Sequence, residues 1–173
     1  MNKKPVLYMQ TDPRWKNKDY SAAGESTTIG RAGCGPTCAA MLLTTLTGKE
    51  ITPADTCAWS LAHGHKAKGQ GTYYAYFKPQ FAAYGIRADQ LSWVKTYGKP
   101  EHENHDRALE LLREGYYLIA CMGPGNWTSS GHFVVVWWQD DKVRILDPAS
   151  TRESRVEGDI RTFRSQVKYY FWV

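Results

Sequence analysis

The stretch Gly33-Cys34-Gly35-Pro36-Thr37-Cys38, followed directly by Ala39-Ala40-Met41-Leu42-Leu43-Thr44-Thr45-Leu46, constrains this chain more than any other. Proline has a preset φ and no N–H to leave unsatisfied, so Pro36 suits the first turn of a helix. Ala39, Leu43 and Leu46 recur at helical spacing and predict a buried stripe. Gly48 falls where a left-handed C-terminal cap is wanted. Cys34 then stands at or just before the N-terminus of a buried helix. Unpaired N–H groups and the positive end of the helix dipole favour thiolate over thiol there. Gly33 and Gly35 leave room for a substrate backbone to approach the sulfur. A nucleophilic cysteine at the mouth of a core helix is one reading; a small buried cysteine near a turn is the other.

A chain of 173 residues is long enough to bury a real core, and a single domain over residues 1–173 is expected. No apolar run approaches the length of a membrane span, so no stable membrane insertion is expected. The start, Met1-Asn2-Lys3-Lys4-Pro5, is basic but is followed by few apolar residues, so synthesis in the cytoplasm without a signal peptide is expected. Work outside the cell would then need another export route. The net charge of +5 favours anionic surfaces such as bacterial wall polymers. No basic block or zinc-finger spacing supports a nucleic-acid reader, and no nucleic-acid partner is expected. Cys34, Cys38, Cys57 and Cys121 do not resemble a disulfide framework. A zinc site could be drawn from these with His63 and His65, but there is no C-x-x-C pair and no metal is expected.

Along the chain, residues 5–10 read as a short strand and residues 16–33, rich in Gly, Ser, Thr and Lys, as a long surface loop. Thr52-Pro53-Ala54-Asp55 is a helix start, with Thr as cap, Pro first and an acid third, and that helix should run to about His63. Residues 63–71 form a polar loop. Thr72 can cap an aromatic-rich helix ending at Gly85 and bent or divided by Pro79. Residues 86–91 look like a strand. Asn104 starts an amphipathic helix with Ala108, Leu111 and Leu112 inward and Gly115 as its stop. His102 and His105, set among acids, read as a solvated face. Strands are expected over 116–122, 132–138, 143–147 and 167–173. Helices come first and an antiparallel sheet second, an α+β arrangement.

The segment from Gly131 to Pro148 carries the second candidate group. If Asp140-Asp141 is a two-residue turn, Gln139 faces Lys142 and Val134 faces Asp147. His132 and Val134 share a face because side chains alternate, so Asp147 becomes the diagonal neighbour of His132. A carboxylate there can accept from one imidazole nitrogen and leave the other as base. A slip of one residue would put the pair on opposite faces. A hairpin with His and Asp at its solvated ends is the competing reading.

With Gln10-Thr11-Asp12-Pro13-Arg14-Trp15, Gly33-Cys34-Gly35-Pro36-Thr37, Gly131-His132-Phe133-Val134-Val135-Val136 and Leu146-Asp147-Pro148-Ala149-Ser150 in this order, the chain resembles papain-like cysteine peptidases, in the branch of the bacteriocin-leader peptidases. The stretches Gly69-Gln70-Gly71-Thr72-Tyr73-Tyr74 and Cys121 to Thr128 look like members from phages and Gram-positive bacteria, several of them cell-wall lytic enzymes. The resemblance implies a papain-like α+β fold, N-terminal helices packed on a C-terminal antiparallel sheet. It makes Cys34 the nucleophile, His132 the base, Asp147 the group that orients the imidazole, and Gln10 the side-chain donor of the oxyanion hole. One departure stands out: residues 16–33 intervene between Gln10 and Cys34, where relatives have a few residues. Gln70 is the substitute donor, or else cleft wall. Gly33, Gly35, Gln70, Gly131 and Trp127 are placed on the substrate side, Trp127 as a substrate-contacting aromatic or, alternatively, a loop anchor. Acyl transfer by these groups requires no cofactor and no metal. A peptidoglycan hydrolase of the endolysin type, acting as a monomer at the bacterial wall once released through a phage-made hole, is the first expectation. A peptidase acting on proteins or double-glycine leader peptides is the second, and a catalytically idle wall- or peptide-binding module the third.

Overall fold

The computed structural model describes residues 3–152, 155 and 160–173. The fold is α+β, in two compact units. One is Pro5–Arg87; the other is Ala88–Val173 with the start of the chain, where Tyr117 Oη donates to the Lys3 carbonyl at 2.6 Å.

The first unit is helical: α1 (Ile29–Ala32), α2 (Cys34–Thr47), α3 (Pro53–Ala62), a 3-10 turn (Tyr74–Tyr76) and α4 (Phe77–Ala82). Cys38 through Leu43 are each fully buried, so α2 is covered on every face rather than along one stripe. Ala39 and Leu43 are buried as expected, but the stripe stops there: Leu46, in the last turn, is 44% exposed. Gly48 has φ 71° and returns its amide to Thr44, which is the left-handed cap expected of it. In α3 the Thr52 hydroxyl accepts from the Asp55 amide while the Asp55 carboxylate accepts from Thr52, and Pro53 occupies the first turn. Thr56 Oγ1 donates to the Pro36 carbonyl at 2.7 Å and so fastens α3 to the first turn of α2.

Three expectations for this unit are corrected. Residues 5–10 form no strand; the Val6 amide donates to Thr45 Oγ1 at 2.9 Å instead of to a sheet neighbour. Residues 16–33 are a surface loop only in part: 16–28 are irregular with several exposed positions, but the segment does not end as loop. They carry α1 and a bridge between Asp19 and Thr28, and they bury Tyr20, whose Oη shares hydrogen bonds with Ser60 and Thr72. Glu25 accepts from Lys66 Nζ at 2.7 Å and from the Gly69 and Ala22 amides at 2.8 and 2.7 Å. Those contacts, the Lys66 bond foremost, hold its carboxyl at about 2. Thr72 caps no helix, being bridged to Lys66, and the aromatic segment divides before Phe77 rather than at Pro79. Pro79 sits third in α4, within the first turn of that helix, where proline is tolerated.

The second unit contains β1 (Asp89–Gln90), α5 (Glu103–Arg113), β2 (Leu118–Met122), β3 (His132–Gln139), β4 (Lys142–Leu146), α6 (Ile160–Gln166) and β5 (Val167–Trp172). The sheet is antiparallel in the order β1-β5-β2-β3-β4, with α5 packed on β3 and β5. The central strand, β2, is buried along its whole length. The strand expected over 86–91 shrinks to the two residues of β1. The β3–β4 register pairs Gln139 with Lys142 and Val135 with Leu146, as a two-residue turn demands. Asp140 and Asp141 have φ of 54° and 58°, the two left-handed positions of the tight hairpin turn.

α5 begins where expected, with Ala108, Leu111 and Leu112 buried, but His102 and His105 are not a solvated face. His102 Nδ1 caps the helix by accepting from the Asn104 amide at 3.1 Å. His105 is 1% exposed, with Nδ1 at 2.8 Å from Tyr170 Oη and Nε2 at 3.0 Å from the Lys99 carbonyl. A carbonyl can only accept, so Nε2 carries the proton and Nδ1 takes the tyrosine hydroxyl: the ring is neutral. Burial pushes the titration of His105 below its ordinary range. A group protonated more readily unfolded than folded withdraws stability as pH falls through its unfolded range. The melting temperature should therefore drop between pH 7.5 and 5.5. His105→Gln should flatten that dependence, and a slope unchanged by the substitution would show that the loss arises elsewhere.

Candidate active site

In the helical unit, Cys34 is the first residue of α2, with Gly33 as its N-cap. The helix ladder opens with the Thr37 amide donating to the Gly33 carbonyl at 3.0 Å. The sulfur sits at the positive end of a 14-residue helix, where negative charge is favoured. Cys34 is partly exposed, whereas Cys38, Cys57 and Cys121 are buried. Burial and, after it, the neighbouring Cys34 push the Cys57 thiol well above its ordinary range, so Cys57 stays an inert thiol.

In the sheet unit, His132 opens β3 opposite Met122, and Asp147 follows the last residue of β4. His132 Nε2 lies 2.6 Å from Asp147 Oδ1. The two are 9% and 1% exposed, so the pair is not the solvated hairpin end of the competing reading. Asp147 Oδ1 also accepts from the Ala149 amide at 2.8 Å, and Oδ2 accepts from Arg155 Nη1 at 3.0 Å. Burial alone would raise the Asp147 pKa. The bond and charge of His132, the Ala149 amide and Arg155 overcome it and hold the carboxyl below its usual range. An ionised carboxylate can only accept, so Nε2 carries a proton and Nδ1 is the basic nitrogen of the neutral ring.

Gln10 lies in the helical unit, 5% exposed, in the turn that begins the Gln-Thr-Asp-Pro-Arg-Trp motif. Its Nε2 donates to the Gly30 carbonyl at 3.1 Å. The long insertion between Gln10 and Cys34 therefore folds back on itself and returns Gln10 to α1, the short helix that leads into Cys34. Backbone bonds from Ile29 to Lys18 and from Gly30 to Lys16 close that excursion. One Nε2 hydrogen is spent on Gly30, and an amide nitrogen has two.

The sequence pattern of the Peptidase C39 like family matches residues 7–171. The chain belongs to this family. Its members are papain-like cysteine peptidases, and the four motifs fall within the matched span. Among solved structures, a Bacillus anthracis protein assigned as a C39-like peptidase aligns over 99% of this chain and 98% of its own, at 13% identity and a TM-score of 0.53. That likeness speaks to the fold alone. A variant of the Salmonella effector SpvD aligns over 100% of this chain and 84% of its own, at 13% identity and a TM-score of 0.44, too loose to argue from. No curated protein gives a significant match.

Against this C39-like frame, the expected substrate-side residues divide. Trp127 is corrected: it is 2% exposed, stacked edge-on against Phe163 at 5.5 Å, and its Nε1 donates to the Arg155 carbonyl at 3.1 Å. A side chain so placed anchors its loop in the core, the second of the two roles expected of it. Gly33 also has a reason inside the fold, because a Cβ there would lie 2.7 Å from the Ile29 carbonyl oxygen. Gly33→Ala should cost about 1–3 kcal/mol through overpacking, read as a lower urea midpoint. Gly35 is buried in the first turn of α2. Gln70 is exposed in the loop closed by the Lys66–Thr72 bridge, and Gly131 is exposed directly before His132. Arg155 escaped the sequence reading. It belongs to no motif, and an arginine beyond Pro148 gives no local sign that it returns to Asp147.

Proposed function

We propose that this chain is a cysteine-dependent amide hydrolase of bacterial peptidoglycan that works through an acyl-enzyme, with Cys34 as nucleophile and His132 as base. The observation that carries the reading is the buried His132–Asp147 pair, whose carboxylate fixes the Nε2 proton and leaves Nδ1 as the basic atom. Nδ1 takes the proton of Cys34, and the sulfur attacks the amide carbonyl. The second Nε2 hydrogen of Gln10 and the Cys34 amide receive the oxyanion; loss of one such donor costs about a hundredfold or more. The imidazolium returns its proton to the leaving amine, giving a thioester and a free amine. Water, deprotonated by Nδ1, then releases the acid and restores the thiol.

Support for a wall substrate is chemical. The net charge of +5 draws the protein to anionic wall polymers, and the stretches around Gln70 and Trp127 resemble those of wall-lytic enzymes. The test incubates the protein and its Cys34→Ala variant with purified Gram-positive walls and identifies the products by mass spectrometry. New amino and carboxyl ends from the wild type alone are expected, and their identity separates amidase from endopeptidase. Intact walls beside a cleaved Gly-Gly peptide would move the substrate to protein or leader peptides. Intact walls and intact peptides would leave a binding module.

A further inference from the structure

The two oxygens of Asp147 have different partners. Oδ1 takes His132 Nε2 and the Ala149 amide, while Oδ2 takes Arg155 Nη1 at 3.0 Å. The Asp147 side chain is fully buried and that of Arg155 is 25% exposed, so the guanidinium closes the outer side of a carboxylate that water does not reach. Arg155 is itself fastened, since its carbonyl accepts Trp127 Nε1 at 3.1 Å and Trp127 is packed against Phe163 in the core. A line of direct contacts thus runs from a buried tryptophan through arginine and carboxylate to the imidazole, all within the sheet unit.

Two physical consequences follow. A carboxylate held at one oxygen only can rotate about its Cβ–Cγ bond, and a fixed donor on Oδ2 removes that freedom from Oδ1. A bare carboxylate also stabilises the protonated ring beside it, and a cation on its far oxygen offsets part of that attraction. We propose that Arg155 is a positioning residue. It fixes the Asp147 carboxylate against His132 and keeps the imidazole ready to give up its proton, and Trp127 is the anchor that holds Arg155 in place. The catalytic consequence rests on His132 being the base; the placement itself can be read without substrate.

The test follows the His132 ring by NMR across pH in the full-length protein, its signal identified by loss in His132→Gln. Arg155→Gln keeps a donor and loses the charge, and should move the His132 titration to higher pH by about half a unit or more. Arg155→Lys keeps the charge and should stay close to wild type. Trp127→Phe keeps the ring and loses the N–H, and should move the titration the same way as Arg155→Gln by a smaller amount. An unmoved titration in a folded Arg155→Gln protein overturns the proposal. If that variant does not fold, an unmoved titration in Trp127→Phe overturns it. On any substrate the wild type cleaves, Arg155→Gln should lower kcat about tenfold and change KM less than twofold, with Arg155→Lys recovering most of the loss. A shifted titration in a protein that cleaves nothing sinks the peptidase reading and keeps Arg155 in its role. Hydrolysis with an unshifted titration does the reverse.

Discussion

Cys34→Ala should abolish amide hydrolysis, a loss of about ten-thousandfold or more, while the melting temperature stays within a few degrees of wild type. The two halves of that expectation have separate causes. On the proposed mechanism hydrolysis is lost because the acyl-enzyme is a thioester and needs the sulfur itself. Stability is kept because Cys34 is partly exposed in the first turn of α2, where removing one sulfur opens no sealed cavity and alanine is a good helix former. Cys57→Ala makes the opposite pairing. Cys57 is 1% exposed and its thiol is held protonated, so that variant should lose stability by about 1 kcal/mol and keep its activity. Alkylation gives an independent check, since Cys38, Cys57 and Cys121 are all buried. A limiting amount of iodoacetamide should label one cysteine, located by peptide mapping, in step with the loss of activity. A protein labelled at Cys34 that still hydrolyses its substrate would remove Cys34 from the chemistry.

What could be read from the sequence was written locally. α2 is bracketed by Pro36 and Gly48, and α3 opens with its own capping box. The β3–β4 hairpin turns on two aspartates that tolerate a left-handed backbone. In each case a few adjacent residues decide the conformation, whatever the rest of the chain does. The same holds for the candidate site: Cys34 is placed by the helix it begins, and His132 meets Asp147 because the turn fixes the register. What was missed depends on partners far away in the chain. Residues 16–33 look like loop from their glycines and serines, yet Tyr20 is buried because Ser60 and Thr72 receive its hydroxyl. His105 sits in an acidic, polar stretch and is buried because Tyr170 and the Lys99 carbonyl satisfy both ring nitrogens. Trp127 lies in a glycine-rich loop that looks exposed, and Phe163 draws it into the core. A polar residue reads as surface until its partner is known, so errors of this kind gather at buried polar and aromatic side chains.

Asp147→Ala should lower kcat/KM by about a hundred- to ten-thousandfold, more than Asp147→Asn. Alanine leaves His132 without its orienting acceptor, so neither the tautomer nor the ring position is fixed. Asparagine keeps a carbonyl oxygen, and the two donors at Oδ1, His132 Nε2 and the Ala149 amide, select the orientation that presents it to them. Its NH2 then faces Arg155 Nη1, donor against donor, and that contact is lost. Asparagine should therefore retain the tautomer but lose both the charge and the Arg155 contact, so it should cost more than the roughly tenfold expected of Arg155→Gln and less than alanine. Stability separates the variants a second time. The Asp147 carboxyl is held below its usual range of about 3.8 despite its burial, so it contributes stability that is fully present above that range and is lost as pH falls through its folded value. Urea melts of wild type and Asp147→Ala should differ by about 1–3 kcal/mol near pH 7 and draw together as pH falls below the usual carboxylate range. Parallel curves across that range would mean that the carboxylate is no better held folded than unfolded. The ionised acceptor that gives His132 its basic Nδ1 would then be gone.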